Sequence, residues 1–555
     1  MFDTTIRRVR LALAPVLVVG GMALAQPALG ADYCVVGPND PCSGTKLGDL
    51  QAALDAAAVD NLPDRIFLDA EIYNAPAQGF IYDPQAGGPV EIAGAGDDKT
   101  ILAGASGAYR TLAVFGGPAT SVHNLRVVMP PNAPTDAQAL RTNGVVKNVY
   151  VTENSVQPQN PRTGVILTGS GVFEDGVIAL DDQSVTRGAL LVGGGTVRTS
   201  TIFASRGVTS GGGTIDRANI GADFAGVEIQ HGTTKITSTK VRTAGDGSVG
   251  IAAAAELDGD AHVEIDGVAL IGPDNPTMGT AIEVDNAYVP AVKADAAVKN
   301  TVIRFYPSTL WAGGYAPGHA HIGMSYSDYD SSTKTAFAAG TIDESNVSYV
   351  GNVGFFDLED LSLLPDSPLV DAGDPATGQG LDQDGNPLVT DGNGDGVARR
   401  DIGAVETPAV PLKPPAAIPP ATSGGDQSVQ PIGEPTPPAR DSLAPALTGL
   451  RLSHKIFAVG RARTAIAART ARGTRVSYKL SENAKVVVKI QRVGKKRLVG
   501  KLTRTAKSGR NALAFSGRIG AKALRPGRYR AVITAVDAAG NRSAAQTVRF
   551  RIARR

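Results

Sequence analysis

Two rhythms of apolar and polar residues divide this chain. Between residues 122 and 303 a six-residue unit, aliphatic at both ends and mixed between them, occurs eight times. Its copies pair Val122 with Val127, Val146 with Val151, Val172 with Val177, Val197 with Ile202, Ile215 with Ile220, Ile236 with Val241, Val263 with Val268, and Val298 with Ile303. The starts lie 24, 26, 25, 18, 21, 27 and 35 residues apart. A period of about 20–30 residues marks a solenoid with one coil per repeat. The units are short and β-branched, and glycine turns such as Gly193, Gly194 and Gly195 separate them. Helical repeats need longer amphipathic runs and fewer glycines. Leucine-rich repeats need leucines that this stretch lacks. A parallel β-helix remains. About ten coils stacked at the strand spacing of ~4.8 Å would give a rod on the order of 50 Å long, with Val and Ile ladders inside.

An open solenoid has two ends to cover. Residues 46–59 place Leu47, Leu50 and Leu54 on one helical face, with Thr45 as N-cap and Asp49 favourable in the first turn. A first strand follows at Asp64–Leu68, and residues 89–103 read as the first full coil.

The second rhythm has period two. Val476, Tyr478 and Leu480 alternate with Arg475, Ser477 and Lys479; Val486, Val488 and Ile490 with Lys485 and Lys489; Val548, Phe550 and Ile552 with Arg549 and Arg551. One apolar face per strand describes an antiparallel β-sandwich. Residues 408–445, with 11 prolines, cannot bury a core and read as a polyproline-type linker.

Charge follows the same division. The chain carries 54 basic and 53 acidic residues, a net of +1; residues 451–555 hold 28 of the former and 2 of the latter. The C-terminal part is therefore +26 and the rest, with 26 basic and 51 acidic residues, −25. Arg7, Arg8 and Arg10, an apolar run over 11–25 and small residues at Ala25, Ala28, Gly30 and Ala31 make a secretory signal, removed by residue 31. The Arg7-Arg8 pair fits twin-arginine export loosely and general secretion better. No later run has the roughly 18 apolar residues of a membrane span, so no transmembrane anchor is expected. Cys34 and Cys42, the only cysteines, are expected to form a disulfide in an oxidising compartment.

Residues 364–406 contain Ser367-Pro368, then Val370-Asp371-Ala372-Gly373, then Asp382-x-Asp384-Gly385-x-Pro387, and close on Asp401-Ile402-Gly403-Ala404 and Glu406. This order resembles the closing motif of the choice-of-anchor Q family, secreted bacterial proteins. The resemblance implies a right-handed parallel β-helix of the pectin-lyase-like kind, with this motif at its far end, and no particular reaction. Leu524-x-Pro526-Gly527-x-Tyr529 and Asp537-Ala538-Ala539-Gly540-Asn541 resemble small immunoglobulin-like domains of bacterial surface proteins. The chain thus reads as all-β: signal peptide 1–31, right-handed parallel β-helix 32–407, linker 408–445 and basic Ig-like sandwich 446–555.

Candidate chemistry is spread thinly. Asp382, Asp384, Asn386, Asp391, Asn393 and Asp395 offer oxygens at alternate positions, and Asp391-x-Asn393-x-Asp395-Gly396 matches half of an EF-hand-type calcium loop. The closing Glu is missing, since Ile402 takes its place. Calcium and a hydrogen-bonded acidic turn both remain open, the second preferred. Glycosidic cleavage needs an acid and a second carboxylate. Asp216, Glu228 (with His231), Glu264 and Asp266 are the candidates, with Asp181, Asp182, Glu283 and Asp285 beside them; each reads first as a solvated surface group. His319 and His321 lack an evident third zinc ligand. Trp311, Tyr315 and Tyr326, in an aromatic-rich stretch, are the candidate glycan contacts, with packing as the equal alternative. Arg475, Lys479, Lys485, Lys489, Arg549 and Arg551 form a candidate anion-binding surface. The expectation is a secreted or cell-surface protein, non-catalytic, binding a polysaccharide and held at the wall by its basic domain. The alternative is an extracellular polysaccharide lyase or glycoside hydrolase. No specific nucleic-acid partner is expected.

Overall fold

The computed structural model describes residues 30–35, 42–84, 88–153, 160–180, 186–255, 259–273, 276–286, 291–330, 333–350, 361–364, 367–376 and 378–409, and most of 445–552. The signal segment, nearly all of the linker, and Asp181, Asp182, His454, Pro526 and Asp537 to Gly540 lie outside the described residues. Two compact units emerge, Met1–Ala417 and Ile418–Arg555.

Unit one is a right-handed parallel β-helix. Among the described residues, 32 strands join one continuous sheet that winds through three faces. Sheet A runs through Asp64–Leu68, Val90–Ala93, Ser121–His123, Val145–Lys147 and onward to Thr341–Ser345. Sheet B runs from Ile72–Asn74 through Ile101–Ala103 to Asp328–Tyr329. Sheet C runs from Phe80–Tyr82 through Arg110–Val114 to Lys334–Ala338.

Register explains the repeat. On sheet A, Val122, Val146, Phe173, Val197, Ile215, Ile236, Ile265, Val298 and Met324 pair rung to rung and are all buried. On sheet B, Leu102, Val127, Val151, Ile178, Ile202, Ile220, Val241, Leu270 and Ile303 do the same. Between the two ladders the chain turns a tight corner through a left-handed residue, among them Asn124 (φ 58°), Asn148 (φ 52°), Asp175 (φ 51°) and Asn300 (φ 51°). Asn and Asp tolerate that conformation best. Hydroxyls then tie the corners together. Thr239 and Ser327 accept the N–H of Ala218 and Thr301 in the preceding coils, at 3.2 and 3.1 Å.

Two of the eight sequence units are out of frame. Val172 and Val177 are half-buried, while Phe173 and Ile178 occupy the ladder; likewise Ile265 and Leu270 are the rungs rather than Val263 and Val268. The left-handed residue, two positions after the sheet A rung, sets the frame: Asp175 follows Phe173, and Gly267 (φ 67°) follows Ile265. A rule that counts only aliphatic residues misses an aromatic rung.

The N-terminal end is covered as expected, with different capping. The helix is Leu50–Ala57; Leu50, Ala53, Leu54 and Ala57 enter the core, and Asp49 is the N-cap, accepting the Ala52 N–H at 2.9 Å. Thr45–Lys46 is instead a short strand beside Tyr33 and Cys34. Cys34 and Cys42 form the disulfide.

The motif at 364–406, expected at the far end of the cylinder, lies with the described residues around it along the flank instead. Leu361, Leu363, Leu369, Val370, Ile402 and Ala404 pack on Ala269, Ile271 and Val302, outward residues of sheet B. Ser238 Oγ donates to Leu381 O at 2.8 Å, Gln383 Nε2 to Ala218 O at 3.1 Å, and Gly403 N to Asn300 O at 2.9 Å. The segment therefore clasps the A–B corner of several coils.

Unit two is a β-sandwich. A three-stranded antiparallel sheet (Leu447–Leu452, Thr474–Leu480, Gly509–Phe515) and a five-stranded sheet (Ile456–Phe457, Ala484–Arg492, Leu498–Ala506, Gly527–Val536, Gln546–Ile552) share one core that includes Val476, Tyr478, Val488, Ile533 and Phe550.

The frame correction is directly testable. Phe173→Ala is expected to cost about 3–5 kcal/mol and Val172→Ala less than about 1 kcal/mol, read from the urea midpoints of the two variants. Equal losses would overturn the register.

Candidate functional site

The outward residues of sheet A are tied up in charge pairs. Glu174 accepts from Lys147 Nζ at 2.8 Å and Arg198 Nε at 2.6 Å, which holds its carboxyl below the usual range. Asp216 takes Arg217 Nε at 2.9 Å and Thr237 Oγ1 at 2.7 Å. Glu264 lies 3.6 Å from Lys235 Nζ, and His262 Nδ1 bonds Asp295. Asp266 does not pair with Glu264. It accepts from Asn300 Nδ2 at 2.8 Å and from the buried Arg400 at 2.9 Å, beneath the clasping segment. His321 Nδ1 meets Thr341 Oγ1 at 2.9 Å. Asp216, Glu264 and Asp266 are thus engaged in holding coils or the clasp.

Sheet C is different. Its outward register runs Thr209, Glu228, Ala252, Glu283, Trp311, Thr335, one per coil. Glu228 binds Arg206 of the preceding coil rather than His231, whose ring packs against Gly211. Burial and neighbouring Arg187 pull the Arg206 guanidinium below its ordinary range. Two rungs on, ~9.6 Å along the solenoid at the usual strand spacing, stands Glu283. Burial, and then Asp285 two residues away, push its carboxyl up. Ala252 and Ala254 form a low floor between the acids. Beyond Glu283, the Trp311 indole lies over Gly313 and stacks on Phe337, centroids 6.3 Å apart and planes at 16°. Phe337 is 54% exposed and Tyr315 56%. This strip joins acids, an arginine, a shallow floor and an aromatic platform on one face.

The sequence-derived glycan contacts are therefore split. Trp311 belongs to sheet C and Tyr315 follows directly after its strand, Ser308–Gly314, while Tyr326 is a left-handed corner residue (φ 46°) between sheets A and B. Tyr306 and Tyr329 of the same stretch are buried. Sequence reading missed Arg206, Ala252 and Phe337, because only stacking of the coils brings Arg206 to Glu228, Ala252 between Glu228 and Glu283, and Phe337 onto Trp311. Period-two alternation within sheet C was the available signal.

The acidic loop turns its oxygens onto backbone. Asp382 accepts the N–H groups of Asp384 (2.9 Å), Asn386 (2.6 Å) and Glu406 (2.9 Å). Asp391 accepts from Gly394 and Gly396, and Asp395 from Val397 at 2.8 Å and Arg399 at 3.1 Å. Asn393 accepts from Asp395 N, and Asn386 donates to Asp382. Asp384 sits in the same turn. Among the described residues no group of three or more His, Cys, Asp or Glu could hold a metal ion. In the described contacts these oxygens accept hydrogen bonds within the turn.

Behind that turn lies a buried acid cluster. Asp401 accepts from Asp371 N (2.8 Å) and Thr407 N (2.6 Å), and Glu406 from Asp401 N (3.0 Å). Arg400 Nε stands 3.8 Å from Glu406, beyond hydrogen-bond reach. Burial pushes Glu406 up to about 9 and Asp401 to about 6. Unfolded, such carboxyls release their protons near pH ~4. The folded chain holds the Glu406 proton to about 9, so stability declines as pH rises between those limits and levels off above them. Melting temperature is expected to fall from pH 5 to pH 9, and Glu406→Gln to flatten most of that decline. An unchanged slope in the variant would disprove the assignment.

The predicted basic surface is two surfaces. Arg475 and Lys479 face outward from the three-stranded sheet, and Lys485, Lys489, Arg549 and Arg551 from the five-stranded one. Arg528 and Arg530, unremarked in the sequence, join the second group.

No family model matches this chain, and no curated protein matches it. Similar solved structures include pectate lyase Pel9A, 13% identical over 68% of this chain and 96% of that one, TM-score 0.43. A GH87 alpha-1,3-glucanase catalytic domain in complex with nigerose is 13% identical over 59% of this chain and 70% of that one, TM-score 0.36. The A-module of an Azotobacter vinelandii mannuronan C-5 epimerase is 13% identical over 55% and 97%, TM-score 0.30.

Proposed function

We propose that this chain is a secreted, carbohydrate-binding surface protein of the choice-of-anchor Q kind. Its β-helix contacts a polysaccharide along sheet C, and its basic Ig-like domain retains it at an anionic wall. The observation that carries the reading is the sheet C strip. The half-buried Trp311 stacked on the exposed Phe337, with the shallow floor on the far side of Glu283, suits the flat apolar faces of sugar rings, while Arg206, Glu228, Glu283 and Asp285 can bond their hydroxyls. The disulfide and the N-terminal signal pattern support an extracellular location.

One feature supports the catalytic alternative. A proton donor in glycoside hydrolysis needs a raised carboxyl pKa, and Glu283 has one. Glu228, ion-paired to Arg206, would then be the ionised partner.

A panel of neutral and acidic polysaccharides separates the two. Binding without new reducing ends or unsaturated products is the expected outcome, and Trp311→Ala should weaken it about fivefold, the loss of a stacked ring worth roughly 1 kcal/mol. Turnover that falls at least about a hundredfold in Glu283→Gln would establish the hydrolase instead. Binding of no polysaccharide would remove both.

Retention is tested apart from recognition. Deleting residues 446–555 should release the protein into the medium, and moderate salt should mimic the deletion. Unchanged fractionation would refute wall retention.

A further inference from the structure

Like charges placed directly opposite one another on neighbouring strands oppose folding. The five-stranded sheet of the C-terminal sandwich does this repeatedly. Arg530 stands opposite Arg549, Arg528 opposite Arg551, and Lys489 opposite Lys501. All six alternate with core residues such as Tyr529, Ile490 and Phe550, and so share the outward face. None of the five strands contains an Asp or Glu. Arg530 donates to Gln491 Oε1 at 2.7 Å, and an anion covering the face would relieve the repulsion between the facing cations.

The neighbours on the face narrow the occupant. Val487, Val532 and Thr534 lie between the cations, and no outward position described on this sheet is aromatic. Sugar rings and nucleobases are held on aromatic platforms, such as the one Trp311 and Phe337 provide on the solenoid. A chain of charges on an open, non-cyclic backbone needs none. Outward residues repeat at about 6.6–6.8 Å along a strand and ~4.8 Å across strands, giving a lattice of forks. Guanidinium forks take the two free oxygens of a phosphodiester in parallel.

We propose that this five-stranded face, and not the three-stranded one, binds a linear phosphodiester-linked wall polymer. The inference rests on the wall-retention reading above and names its face and ligand.

The test uses the full secreted chain and purified poly(glycerol phosphate), with polygalacturonate and double-stranded DNA as competitors. The triple variant Arg530→Gln, Arg549→Gln, Lys489→Gln should lose at least tenfold in affinity and show a shallower salt dependence. Its melting temperature should hold or rise, since repulsion is removed. Arg475→Gln with Lys479→Gln should lose less than threefold. Equal losses per charge from both faces would overturn the proposal in favour of a diffuse field, as would displacement of the bound poly(glycerol phosphate) by polygalacturonate or DNA at lower concentration than by free poly(glycerol phosphate). If deleting residues 446–555 abolishes binding while the triple variant binds normally, retention stands and the face assignment falls. If the deletion leaves binding intact, both fall.

Discussion

Each coil of the solenoid hides its apolar side only because another coil lies one strand spacing away. That mutual dependence fixes most of what else is seen. It demands in-register rungs, so Val146 must sit under Val122 and Phe173 under Val146. It demands a corner that returns the chain to the same height, which a left-handed residue supplies after the sheet A strands from Ser121–His123 onward. It also leaves the ends open to cover, and the Leu50–Ala57 helix covers the N-terminal one with four buried side chains.

The same stacking converts distance along the sequence into distance along a surface. Glu228 and Glu283 are two coils apart, and the intervening coil offers only Ala252 at that position. A gap flanked by two acids therefore needs no loop to build it. Trp311 is one coil further, and its indole has room to lie flat because position 313 is glycine. On sheet A the carboxylates Glu174 and Glu264 face cations of the neighbouring coils.

Much of this was legible in the chain. Rung spacing and strand alternation follow from burial, and burial writes itself into residue type at fixed intervals. The disulfide was legible because only two cysteines exist. What was hidden depended on contacts that no local pattern encodes. The frame at Phe173 needed the corner conformation of Asp175. Asp49 displaced Thr45 as the cap because residues 45 and 46 pair with Tyr33 and Cys34. The motif at 364–406 announced itself by composition, while its place on the flank rests on hydrogen bonds such as Ser238 to Leu381, 143 residues apart. The basic charge of residues 451–555 was plain, and only strand pairing sorted it into two faces.

The two units handle charge in opposite ways, and that difference separates their proposed roles. The solenoid pairs charges locally at several rungs: Lys147 and Arg198 share Glu174, Arg217 holds Asp216, Arg206 holds Glu228. The chain before residue 451 is −25 overall, a field that attracts no anion, so the recognition proposed there rests on contact: stacking on Trp311, hydrogen bonds from the acids, the fit of the alanine floor. Such contacts are short-ranged and weakly sensitive to salt. The five-stranded sheet keeps its cations side by side with no carboxylate in any strand. Its field reaches about a Debye length, some 8 Å at physiological salt, and collapses as salt rises. A protein so divided can hold a charged matrix loosely with one unit and discriminate among sugars with the other, because neither interaction draws on the residues of its counterpart.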